Sequence, residues 1–132
     1  EKAPVMSDSG AVHEYLKLAL SHRPIETVLL LLLNSRNELL GEVTVATGSV
    51  DQVLISPREN LRRALLANAT AMIVVHNHPS GDPQPSQADI DMTRKIVDAC
   101  TVMSITVHDH LIVGFGREQA VFSMRAAGML DD

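Results

Sequence analysis

The feature that most constrains the fold is Thr27-Val28 followed by five consecutive leucines, Leu29 to Leu33. Leucine alone suits a helix or a strand, so the ends of the run decide. It is short, it follows Pro24, and it stops at Asn34-Ser35-Arg36-Asn37, a cluster of turn-forming residues. A segment of that length, apolar at every position, reads as a buried strand over residues 26–34. Residues 28–33 are too few to cross a bilayer. After the turn, residues 38–47, with Val43, Thr44 and Val45, read as the return strand of a hairpin.

Around this hairpin the periodicity changes. Val12, Tyr15, Leu16, Ala19 and Leu20 recur at helical spacing and predict a helix over residues 11–21. Ser56-Pro57-Arg58-Glu59 is a helix start: Ser56 caps, Pro57 suits the first position, and Glu59 can reach back to the cap's N–H. Leu61, Ala64, Leu65 and Asn68 mark one face of that helix. Residues 71–75, with Ile73, Val74 and Val75, form a strand, and residues 79–85 a loop with three prolines and Gly81. A third helix is expected over residues 86–99, then short strands at 104–107 and 111–113, an edge strand at 121–123 and a short C-terminal helix. This order predicts an α/β fold, one mixed sheet covered by helices. The 132 residues suit a single domain, 1–132, with no repeat or linker.

Composition narrows the function. With 45% apolar and 20% charged residues the chain should be globular, not disordered. Its net charge is −5, no basic run exceeds Arg62-Arg63, and Tyr15, Phe115 and Phe122 are the aromatics. Neither phosphate-gripping charge nor a base-stacking platform is present, so direct nucleic-acid binding by this segment is disfavoured. The single cysteine, Cys100, excludes an internal disulfide and a cysteine-based zinc cluster; beside Ile90, Thr93 and Val97 it reads as a small buried hydrophobe. No signal peptide is visible, the expected location is cytoplasmic, and the start at Glu1-Lys2 suggests a fragment or processed product.

Chemistry concentrates in His76-Asn77-His78-Pro79, the loop after it, and Ser86 with Asp89. His76 and His78 lie two apart at a strand end, so their imidazoles face the same way. Asp89, in the first turn of the next helix, can bring a carboxylate to the same point. Two nitrogens and one oxygen leave a fourth tetrahedral position for water, the pattern of a catalytic zinc site. A plainer account makes Ser86 an N-cap and Asp89 a residue favoured by the helix dipole. That covers those two residues but not the paired histidines. One hydroxyl at Ser86 can both cap the helix and donate outward.

His76, His78, Pro79, Ser86 and Asp89 match the motif of JAMM/MPN metalloprotease-like domains without a gap. The longer string HNHPSGDPQPSQADIDMT, with SPREN before it and DHLIVG after, resembles the RadC family over about residues 24–130. One departure is His108, where relatives usually carry an aliphatic residue. Full RadC-type proteins also have an N-terminal helical region that nothing here matches, so the chain reads as the C-terminal, catalytic-type domain of a longer RadC-like protein. The resemblance implies a curved mixed sheet flanked by helices, the JAB/MPN fold related to the cytidine-deaminase arrangement. It implies Zn2+ held by His76, His78 and Asp89, and a glutamate from an early strand or helix acting on a zinc-activated water. Glu59 is accounted for by capping, Glu38 lies beside a turn and Glu42 sits in an outer strand. Glu26, at the head of the first buried strand, is the favoured base, with Ser86 as oxyanion donor.

The implied activity is hydrolysis of peptide or isopeptide bonds in an unidentified peptide or protein substrate, with no membrane partner. A DNA-repair accessory protein or nuclease and a non-catalytic MPN scaffold are the competing classes. A cytidine deaminase is excluded because no Pro-Cys-x-x-Cys pair exists. His108-Asp109-His110 sits between two expected short strands, where alternation would put both histidines on one side and the aspartate on the other. A second metal site there is disfavoured, and Asp109 and His110 read as structural or as supports behind the residues that hold the metal. Arg58 and Asn77 are weaker candidates for lining the site, and His13-Glu14, lacking a zincin helix's second histidine, reads as surface.

Overall fold

The computed structural model describes residues 5–6, 8–20, 25–48, 56–79, 81–115 and 119–130. In chain order the elements are α1 (Ser9–Leu20), β1 (Glu26–Leu33), β2 (Leu39–Gly48), α2 (Pro57–Leu66), β3 (Ala71–Asn77), α3 (Gln87–Val102), β4 (Thr106–Phe115) and β5 (Gln119–Ser123). The strands form one sheet in the order β2-β1-β3-β4-β5. β1 runs antiparallel to β2 and β3, β3 is parallel to β4, and β5 returns antiparallel. This is the mixed α/β sheet that the element order predicts, consistent with a JAB/MPN-like fold.

The leucine run lies inside the sheet because both sides of β1 are roofed, and all eight of its residues are buried. Leu29, Leu31 and Leu33 pack on one side with Val12, Leu16 and Leu20 of α1. Val28, Leu30 and Leu32 pack on the other with Ala64 of α2 and Ile96 and Cys100 of α3. The hairpin turn is tied by Asn34, whose Oδ1 accepts from the N–H groups of Arg36 (2.9 Å) and Glu38 (3.0 Å). Among the described residues no helix is long and apolar enough to cross a membrane.

Three expectations are corrected. Ser56 caps α2 by accepting from the Glu59 N–H at 3.2 Å, but the Glu59 carboxylate binds Arg62 and Arg63 instead of reaching back to the cap. The segment after β5 forms turns over residues 124–128 instead of a short helix, closed by Gly128 at φ +77°. The two short strands near the C-terminus are one ten-residue strand, β4. Met72 pairs with Val107 but Ile73 pairs with Asp109, so His108 is the extra residue of a β-bulge. The bulge resets the alternation. Val107 joins the α2/α3 side and Leu111 and Val113 join the α1 side, so His110, next to Leu111, turns to the α2/α3 side, where Thr93 of α3 meets it.

Candidate metal centre

The site forms at the C-terminal end of β3, where the chain leaves the sheet. His76 follows Met72 and Val74 on the α2/α3 side, and its Cα partner across the ladder is Val28. Glu26 is two residues earlier on β1 and projects to the same side, so its carboxylate meets the imidazole: Oε2 contacts His76 Nε2. Both are deeply buried, with 3% and 2% of their surface exposed. At the next rung the Asn77 side chain replaces the backbone ladder. Its Oδ1 accepts from Thr27 N–H, and its Nδ2 donates to the Ile25 carbonyl at 3.4 Å. Asn77, expected to line the site, thus clamps the peptide groups on both sides of Glu26.

His78 lies beyond the end of β3 but is still tied to the sheet, its N–H donating to the Val113 carbonyl at 2.8 Å. Its ring stands edge-on to His76, with centroids 4.7 Å apart and planes at 83°. His78 Nδ1 lies 2.8 Å from the Asp82 carbonyl oxygen. A carbonyl only accepts, so Nδ1 carries the proton and Nε2 keeps its lone pair for a ligand. The turn between them is tight: Gly81 has φ +93° and its N–H bonds to the His78 carbonyl at 2.9 Å.

Asp89 arrives from the first turn of α3 through a reciprocal cap. Ser86 Oγ accepts from Asp89 N–H at 3.0 Å, and Asp89 Oδ2 accepts from Ser86 N–H at 2.9 Å. Asp89 Oδ1 lies 3.4 Å from His76 Nδ1, and Oδ2 lies 3.8 Å from His78 Nε2. The capping account of Ser86 and Asp89 is what these bonds show, and the same cap sets the Asp89 carboxylate beside both histidines. The cap uses a lone pair of the exposed Ser86 hydroxyl, which also lies within hydrogen-bonding reach of the Asp89 carboxylate.

The electrostatics follow from burial and pairing. At His76 burial works against the charged form, but Asp89 and Glu26 outweigh it and raise the pKa above the ordinary histidine value. At Asp89 burial pushes the pKa up, yet hydrogen bonds from His76 and the Ser86 backbone hold the carboxyl well below the usual range. Glu26 Oε1 is buried without a hydrogen-bond partner, and His76 Nδ1 has the Asp89 carboxylate beside it at 3.4 Å. A buried carboxylate oxygen without a partner, beside two imidazoles and a second carboxylate, suits a cation. Ligand atoms of Glu26, His76 and His78 lie within 4.8 Å of one another, the one such group among the described residues. Imidazole with carboxylate is a donor set that suits zinc.

The rival glutamates point elsewhere. Glu42 accepts from the Tyr15 hydroxyl, Glu38 from the Asn34 amide at 2.8 Å, and Glu59 from its two arginines. Arg58 is exposed in the first turn of α2. His13 is exposed, as expected, although it also lines a cavity of about 450 Å³ on the α1 side with His108, Asp109 and Arg125. That cavity includes none of Glu26, His76, His78 and Asp89. Cys100 is fully buried, and burial pushes its thiol up to about 11.

The expectation for His108-Asp109-His110 is corrected by the bulge. The two histidines do not share a side. His108 binds Asn37 Oδ1 at 3.0 Å toward the cavity, whereas His110 is fully buried behind His76, ring centroids 6.2 Å apart. Burial lowers the His110 pKa to about 3. Asp109 accepts from Ser123 Oγ and from the N–H groups of His110 (2.8 Å) and Arg125 (2.9 Å), the structural role expected of it. Thr93, which the sequence analysis placed only on an apolar helix face, bonds His110 Nδ1. Its position four residues after Asp89, one helical turn on, was the available signal.

Among the described residues, a five-stranded mixed sheet with helices on both sides and a histidine pair at the end of a central strand is consistent with a JAB-type domain. Comparison with known proteins narrows the class: the family described as RadC-like JAB domain matches residues 6–129, and the chain belongs to the RadC family. It is 47% identical over 127 residues to a UPF0758 protein of Rhodobacter capsulatus, covering 96% of this chain and 58% of that protein. It is 46% identical over 126 residues to a UPF0758 protein of Ruegeria pomeroyi, covering 96% of this chain and 55% of that one. The chain therefore spans a little over half the length of these relatives.

Proposed function

We propose that this domain is a zinc-dependent hydrolase of the JAMM type, cleaving peptide or isopeptide bonds. His76, His78 and Asp89 would hold the ion, Glu26 would act as general base and acid, and Ser86 would stabilise the oxyanion. The observation that carries this is the buried Glu26 carboxylate, which meets His76, has ligand atoms within 4.8 Å of those of both histidines and keeps one oxygen without a partner. Bound zinc would supply Lewis acidity and bring the pKa of a water down to about 7. His78 offers Nε2 because Asp82 holds its other nitrogen, and Asp89 offers Oδ1 because Ser86 N–H holds its other oxygen. Glu26 takes the proton of the attacking water and returns it to the leaving amine. The Ser86 hydroxyl donates to the charge that develops on the carbonyl oxygen. Asn77 keeps Glu26 aimed by holding the backbone on either side of it.

The substrate would be a peptide or protein, met in the cytoplasm, and the segment would serve as the C-terminal catalytic domain of a longer protein. The test is metal analysis followed by a peptide-library screen on wild type, His78→Ala and Glu26→Gln. Wild type should carry close to one zinc per chain and His78→Ala far less. Glu26→Gln should keep zinc and fold but lose cleavage. Equal zinc in wild type and His78→Ala would refute the metal site. Submicromolar, salt-dependent DNA binding without cleavage of any peptide would favour the DNA-repair class instead, and zinc without cleavage or DNA binding the scaffold.

A further inference from the structure

His110 is fully buried and the JAMM motif gives it no task. Its hydrogen bonding fixes its tautomer. The Thr93 hydroxyl has one proton, and at 2.7 Å it donates that proton to the Asp89 carbonyl, which can only accept. The contact between Thr93 Oγ1 and His110 Nδ1 must then run the other way, with Nδ1–H donating. His110 Nε2 is left as a bare, buried lone pair with no partner. Met124 Sδ, 3.8 Å from the same hydroxyl, closes the pocket around it.

These bonds join two elements that otherwise meet through apolar packing. His110 belongs to β4, and through Thr93 it holds the Asp89 backbone in the first turn of α3. Its ring lies at 29° to that of His76 on the neighbouring strand β3. One imidazole therefore faces the strand that carries one proposed ligand and ties down the turn that carries another. We infer that His110, acting through Thr93, is a positioning residue that sets the spacing between His76 and Asp89 and thereby the affinity of the site for a divalent transition metal. The cation half of this inference rests on the proposed metal centre. The brace itself does not.

The experiment compares wild type with Thr93→Val, which keeps shape but removes the hydroxyl, Thr93→Ser, which keeps the hydroxyl, and His110→Phe, which keeps a ring but removes the donor. In metal-free protein, amide hydrogen exchange across residues 86–90 should speed up several-fold in Thr93→Val and His110→Phe, with β1 unchanged. In Thr93→Ser it should stay near wild type. With metal, Zn2+ affinity should fall by roughly 10–100-fold in Thr93→Val and the Co2+ absorption bands should shift, with recovery in Thr93→Ser. Wild-type exchange together with wild-type Zn2+ affinity and Co2+ bands in Thr93→Val and His110→Phe would overturn the inference. Faster exchange in a wild-type background that binds no cation would instead overturn the metal centre and leave the brace standing.

Discussion

Gly114 of β4 gives the sharpest structural test of how the loop after β3 is held. A Cβ placed there would stand 2.5 Å from the carbonyl carbon of Gly81 and 3.1 Å from its Cα, with the Gly81 oxygen closer still. Non-bonded carbons rest about 3.5 Å apart, so Gly114→Ala must open this contact by about 1 Å. Both sides are backbone, and no side chain can rotate away. The strand cannot retreat easily, because Gly114 pairs with Ala120 of β5 while its neighbour Val113 is tied to β3 and to the His78 N–H. The loop must move instead, and it carries the Asp82 carbonyl that fixes the His78 tautomer. Overpacking of this kind destabilises by about 1–3 kcal/mol. Loss of an orienting partner typically weakens metal binding by about 10–100-fold. Urea unfolding of the metal-free protein and a chelator competition for Zn2+ measure the two effects separately. Gly41→Ala is the control, since a Cβ in that strand meets nothing within 4 Å. Wild-type Zn2+ affinity in Gly114→Ala would refute the idea that this backbone contact positions His78.

Three further outcomes follow from named contacts. Asn77→Ala removes both bonds that flank Glu26 and should destabilise by about 1–3 kcal/mol, lowering cleavage more than Zn2+ content; a denaturant melt with metal analysis decides. Ser86→Ala should cost about 1 kcal/mol of helix cap and lower the cleavage rate by roughly tenfold to a thousandfold, so stability and rate are measured apart. The folded pKa of His110 lies below its unfolded value, so its contribution to stability is complete above about pH 6.5 and is lost as the pH falls towards about 3. Urea melts of metal-free protein across that window should show an acid limb that is shallower in His110→Phe than in wild type.

The parts of the fold and site that were legible in the sequence are those encoded within one element. The leucines of β1 end abruptly at turn formers, and the spacing of His76 and His78 needs only the strand's period of two. What stayed hidden depends on residues far apart in the chain. His108-Asp109-His110 reads as an interruption because three polar residues stand in a row, yet each meets a distant partner: Asn37, Ser123 with Arg125, and Thr93. A bulge that adds one residue leaves no local mark, but it moves His110 to the opposite side of the sheet from His108. Asn77 is similar, since its partners Ile25 and Thr27 lie on another strand. Helix ends differed for a local reason in α1, where Asp8 accepts from Ala11 N–H at 2.8 Å and starts the helix earlier than the apolar pattern does.

Four of the five proposed site residues, Glu26, His76, His78 and Asp89, are held in two different ways, and that division bears on what limits the proposed site. Glu26 and His76 stand on paired strands in the interior, where the ladder, Asn77 and close packing leave them little freedom. His78 and Asp89 stand on either side of a loop, and their side chains keep 15% and 11% of their surface exposed. The loop is restrained by a few specific contacts: Gly81 against Gly114, His78 on Asp82, and Asp89 through the Ser86 cap and Thr93. Each of these orders a group before any ion arrives, so the entropy of ordering falls on folding and not on binding. Changes on the strand side should therefore register first as lost stability. Changes in the loop contacts should register first as weaker metal binding, with the sheet intact.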